Sequence, residues 1–131
     1  MALSDAGAHL SFLCYAGFGL HLFGHWVRKR GDLTMPEAVK RVTSDVAAAY
    51  RLKDRGRLVP GAWADLLLFD PATVARGPKR RVHDLPTGAS RLDTPAVGVH
   101  GVWVNGMRMV DERGVLADCG RPGRVLRDFA A

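Results

Sequence analysis

The sequence predicts an α/β chain with helices in its first half and strands in its second, and three observations carry that reading. Met35, Ala38, Val39 and Val42 recur at i, i+3, i+4 and i+7, the spacing of one helix face. After Gly56 the pattern changes to short apolar runs closed by turn residues, as in Leu66-Leu67-Leu68-Phe69 before Asp70-Pro71. Two further runs flank Asn105-Gly106, the pair best suited to a two-residue hairpin turn. With 131 residues, 47% of them hydrophobic and 24% charged, the chain has the composition of a globular protein. At that size folding hides roughly two-thirds of the unfolded surface.

The chain opens with Ala2-Leu3-Ser4-Asp5-Ala6-Gly7-Ala8-His9, where a short apolar lead runs into a serine, a carboxylate, a small-residue turn and an imidazole. A strand delivers polar groups to the mouth of a site in this way. Gly17 and Gly19 mark a loop, and Leu20 to Arg28 is expected to be a helix with Leu22, Phe23, Trp26 and Val27 on its apolar stripe. His21, His25 and Arg28 fall on another face. The two histidines have the i, i+4 spacing of a zinc-protease helix, but Leu22 stands where that motif needs a glutamate base, so surface histidines are the preferred reading. The apolar run from Leu10 to Val27 is borderline against the about 20 residues of a membrane span, and three glycines and two imidazoles weaken that reading. Arg28-Lys29-Arg30 follows the run, whereas a cleavable signal carries its charge in front.

Thr34-Met35-Pro36-Glu37 is a helix start, with a capping residue, a proline in the first turn and a glutamate placed to complete a capping box. Ser44-Asp45 starts a second helix through Val46, Ala47 and Tyr50. Ala64 to Asp70 is expected to be a strand stopped by Pro71. Residues 71–97 hold four prolines and no sustained period, which predicts a long, mostly irregular loop wrapping over another surface. In the hairpin, a two-residue turn places Val104 opposite Met107, Trp103 opposite Arg108 and Val102 opposite Met109.

Charge and cysteine content narrow the function classes. The net charge is +6, yet the arginines are scattered and the one tight cluster, Lys79-Arg80-Arg81, lacks interleaved aromatics, so no nucleic-acid partner is expected. No membrane partner is expected either. Cys14 and Cys119 belong to no Cys-x-x-Cys pattern, which points away from a disulfide framework or zinc knuckle and toward the cytoplasm.

These pieces, in this order, resemble the C-terminal part of the metal-dependent amidohydrolases, most closely the N-acyl-D-amino-acid deacylase (D-aminoacylase) group. The matching stretches include Ser4 to His9, Gly24 to Arg28, Leu33 to Val39, Arg55 to Leu66, Arg81 to Pro86, Val102 to Gly106 and Gly120 to Leu126. The resemblance implies that residues 1–56 are the last strand and trailing helices of a (β/α)8 TIM barrel. Residues 57–131 would then be part of a composite β-sandwich domain, with 71–97 as a wrapping loop. It implies a hydrolase of linear amide C–N bonds that uses zinc, with Asp5 both a metal ligand and the catalytic carboxylate that shuttles the proton, and His9 a substrate contact. The substrate implied is a small N-acyl amino acid.

A complete barrel needs about 200 to 250 residues, and the family's His-x-His pair and later histidine ligands have no counterpart in this sequence. His21, His25, His83 and His100 fall on the wrong elements to replace them. The expectation is therefore a C-terminal segment that is inactive alone and binds zinc weakly, while self-association through surface that a barrel would cover is what the interaction-module alternative predicts. Two alternatives stay open: an inactive interaction module that keeps the fold, and an amidohydrolase specific for cyclic amides.

Overall fold

The computed structural model describes Ala6 and residues 12–127. In chain order its elements are α1 (Phe18–His21), a π-helix (Leu22–Lys29), α2 (Met35–Val42), α3 (Ser44–Ala49), β1 (Leu66–Phe69), β2 (Ala75–Arg76) and β3 (Arg80–Val82). A 3-10 turn (Pro86–Gly88), β4 (Arg91–Asp93), β5 (Ala96–Val97), β6 (Val99–Val104), β7 (Met107–Asp111) and β8 (Gly114–Val115) follow. Contacts divide the chain into two compact units, Met1–Thr34 with Pro71–Gly98 and Met35–Asp70 with Val99–Ala131. Each unit draws on two separate stretches of the chain.

In the first unit, helix forms where the sequence predicts it but begins earlier and winds differently. Gly17 takes a positive φ of 77° as the N-cap, and His21 N–H donates to the Gly17 carbonyl at 2.9 Å. Gly19, expected in the loop, lies inside α1. From Leu22 onward the helix is π-wound, and at its end Arg30 N–H reaches the His25 carbonyl at 2.9 Å, five residues back. Phe23 is buried while Trp26 is exposed, so the expected apolar stripe is only partly covered.

The stretch expected to be mostly irregular holds two short antiparallel ladders, β2 with β5 and β3 with β4. Strands of two or three residues are too short to leave an alternating pattern, which is why the sequence did not announce them. Val74, Cys14 and Phe23 form the buried centre of this unit, where Cys14 Sγ meets Thr94 Oγ1 at 3.4 Å.

The second unit begins with α2 and α3 where the two helix starts place them. Ala38 and Ala47 are their buried residues. Its strands form one antiparallel sheet in the order β1-β6-β7-β8. Asn105 and Gly106 have φ of 50° and 83°, the two positive values a type I′ turn requires. Val104 pairs with Met107 and Trp103 with Arg108, as predicted. Val102, however, pairs with Val110 instead of Met109, because an irregularity between Val102 and Trp103 shifts the register by one residue.

The Arg108 guanidinium lies 5.2 Å from the Trp103 ring centroid, the cross-strand stack expected from the hairpin. In β1, Leu66, Leu67 and Leu68 are 37%, 43% and 53% exposed. Successive strand residues face opposite sides, so neither face at this edge is fully covered. Among the described residues no helix is long and apolar enough to cross a membrane.

Candidate functional site

Asp5 and His9, the catalytic, metal and substrate residues expected from the sequence, lie outside the described residues. Among the described residues the best-built polar cluster is a clasp in the second unit. Asp65 immediately precedes β1, Arg55 comes from the loop after α3, and Asn105 is the first turn residue of the β6–β7 hairpin. Arg55 donates through Nη1 to Asp65 Oδ2, and through Nη2 to Asn105 Oδ1 at 2.9 Å. Asn105 returns its backbone N–H to Asp65 Oδ1 at 2.8 Å, and its Nδ2 donates to the Pro122 carbonyl. Gly106 N–H adds a bond to the Ala64 carbonyl at 2.9 Å.

Trp63 completes the clasp. Its ring has Arg55 at 5.4 Å and Arg124 at 4.5 Å from its centroid. With the Arg55 side chain only 13% exposed and both Asp65 oxygens engaged, the carboxylate holds the turn in place. In the sequence Asn105 marks the hairpin turn, whereas Arg55 and Asp65 stand in a stretch that resembles the family and carry no further signal of their own.

The histidines do not converge. His21 and His25 stack with ring centroids 4.7 Å apart and planes within 10°. In parallel rings the nitrogen lone pairs lie in parallel planes and do not meet at one ion. Partial burial, then Arg76, then His25 hold the His21 pKa below its ordinary value. Elsewhere, His100 Nδ1 sits 2.8 Å from Glu112 Oε1 and His83 Nδ1 is 3.2 Å from the Gly88 carbonyl oxygen. Among the described residues no group of three or more His, Cys, Asp or Glu could hold a metal ion. This donor set does not fit zinc, which needs three or four converging ligands.

The basic cluster lies on and beside β3 and is locally partnered. Lys79 sits over the Tyr15 ring at 4.7 Å, Arg80 donates to Asp93 at 2.9 Å and Arg81 to Ser90 at 3.0 Å. Arg91 grips Asp84 with two bonds of 2.8 and 2.6 Å. Those bonds hold the Asp84 carboxyl below its usual range and raise Arg91.

Comparison with known proteins supplies what the described geometry does not. A model of the Amidohydrolase family matches residues 9–110. The N-acyl-D-glutamate deacylase of Alcaligenes xylosoxydans xylosoxydans is 39% identical over 110 residues, covering 84% of this chain and 20% of that protein. The solved N-acyl-D-glutamate deacylase from Bordetella bronchiseptica, complexed with zinc and a phosphonate mimic of the tetrahedral intermediate, is 38% identical. Its TM-score is 0.60, over 83% of this chain and 20% of its own. A D-aminoacylase mutant in complex with copper chloride is 34% identical, with a TM-score of 0.64 over 84% of this chain and 21% of its own. The chain thus spans about a fifth of the length of the relatives it matches. With a family model matching residues 9–110 and solved relatives 34% and 38% identical over more than four-fifths of its length, this chain belongs to the amidohydrolase family.

Proposed function

We propose that this chain is the Asp5-bearing segment of an amidohydrolase that removes the acyl group from N-acyl-D-amino acids. The observation that carries the reading is the 39% identity to an N-acyl-D-glutamate deacylase over 110 residues. In this reading residues 1–56 are the last strand and trailing helices of a (β/α)8 barrel, and 57–131 are part of a β-sandwich domain. Asp5 then stands at a strand end facing the barrel mouth, where such enzymes place their chemistry.

Amide hydrolysis puts a hydroxyl on the acyl carbon, breaks the C–N bond and leaves a proton on the departing nitrogen. Asp5 takes that proton from the attacking water and returns it to nitrogen, acting first as base and then as acid. His9, four residues on, contacts the substrate. Zinc is the metal proposed for the complete protein, with Asp5 the one ligand drawn from this segment, so the 131-residue chain alone should bind zinc weakly. Tight stoichiometric zinc in that chain would contradict this. The proposed compartment is the cytoplasm, in keeping with Cys14 and Cys119 as free thiols.

Splicing residues 1–131 in place of the matching stretch of the Alcaligenes deacylase tests the assignment. Hydrolysis of N-acyl-D-glutamate by the chimera is expected, and a folded, inactive chimera would count against it. A second reading, an interaction module that self-associates, is favoured by the apolar exposure of Leu66, Leu67, Leu68 and Met107. Light scattering on the 131-residue chain at high concentration decides it: self-association supports the module, and a monodisperse monomer opposes it.

A further inference from the structure

We propose that His21, His25 and Arg76 form an acid-sensitive joint that holds the helical segment of the first unit to β2 at neutral pH and loosens on acidification. The joint is tight. A Cβ on Gly24 would come within 3.0 Å of the Val74 carbonyl oxygen and 3.1 Å of the Ala75 Cβ, so the π-helix meets the start of β2 backbone to backbone. A Cβ on Gly17 would come within 2.9 Å of Arg76 Cγ, which places the Arg76 side chain across the first turn of α1. That same turn presents His21, whose N–H is bonded to the Gly17 carbonyl. His21 stacks on His25, and His25 meets Trp26 edge to face at 5.5 Å between centroids. Arg28 latches the far side by donating to the Val74 carbonyl at 2.8 Å.

Among the described residues, the elements packed at this joint carry no carboxylate. The elements packed on the π-helix are α1 and β2, and the charged or titratable groups they and the π-helix carry are His21, His25, Arg28, Lys29 and, on β2, Arg76. Among the described residues from Phe12 to Thr34 and Pro71 to Lys79, Asp32 is the one carboxylate. Arg30 holds it at 2.6 Å. A proton added to His21 therefore places a second positive charge beside Arg76 and against the stacked His25 ring.

The folded-state pKa of His21 lies below the ordinary histidine value of 6.5, so the unfolded chain binds more protons as the pH falls. The joint's contribution is complete above 6.5 and is lost as the pH falls through the lowered value.

Two measurements on the 131-residue chain test the joint. In an NMR titration His21 should protonate below 6.5 and shift upward in Arg76→Gln. Amide exchange, corrected for its intrinsic pH dependence, should lose protection over 18–29 and 75–76 on acidification, and His21→Gln should abolish most of that loss. A His21 that titrates at or above 6.5 in the wild-type chain would overturn the proposal. So would an acid loss of protection that persists unchanged in His21→Gln.

Discussion

Two sets of ion pairs in this chain use the same residue types to different ends. In the second unit Arg55, Asp65 and Asn105 form a closed, half-buried clasp in which the guanidinium bonds two side chains and the turn's own backbone joins in. In the first unit Arg80–Asp93 and Arg91–Asp84 lie along the β3–β4 ladder with much of their surface in water. Their bond lengths are as good, but solvent screens them. Position and networking, more than geometry of the pair, decide which arginine specifies the fold.

The largest effect should come from opening the clasp. Arg55→Ala leaves the Asp65 carboxylate and Asn105 amide without their partner and should cost about 2 to 3 kcal/mol in urea unfolding. A loss as small as that of a surface arginine would erase the contrast. Asn105→Ala should cost about 1 to 2 kcal/mol, since alanine tolerates the positive φ poorly and loses the side-chain bonds. Asn105→Gly sharpens this by restoring the backbone while leaving the bonds out, so it should recover part of the loss.

On the exposed ladder, Arg80→Ala should change stability by no more than about 0.5 kcal/mol, and added salt should erase even that. Asp84 gives the smallest effect. Its folded pKa is lowered, so its contribution stands at neutral pH and fades as the pH falls through the carboxylate range, and Asp84→Asn should remove that acid dependence alone. An acid response unchanged in Asp84→Asn would show that the pair contributes nothing.

Features set by short-range chemistry were legible in the sequence. The Asn-Gly turn, the helix starts at Thr34-Met35-Pro36 and Ser44, and the apolar run of β1 each depend on residues within a few positions of one another. What escaped depends on distant partners or on single-residue shifts. The π-winding leaves His21 and His25 four apart as an α-helix would, and the bulge beside Val102 inserts one residue into a pattern that otherwise reads as regular. Arg55, Asp65 and Asn105 are 10 to 50 residues apart, so their joint role became visible only when the sheet brought them together. Asp5 is the opposite case: the sequence singles it out, it lies outside the described residues, and the role proposed for it rests on the resemblance to the family.

The same contrast separates residues that hold the fold from the one proposed to do chemistry, and the chimeric deacylase carrying residues 1–131 measures it. With N-acyl-D-glutamate as substrate, Arg55→Ala should lower the melting temperature while leaving kcat per folded molecule largely intact. Asp5→Asn should leave melting unchanged and lower kcat at least about a hundredfold, the usual worth of a positioned general base. An Asp5→Asn chimera as active as its parent would contradict the account.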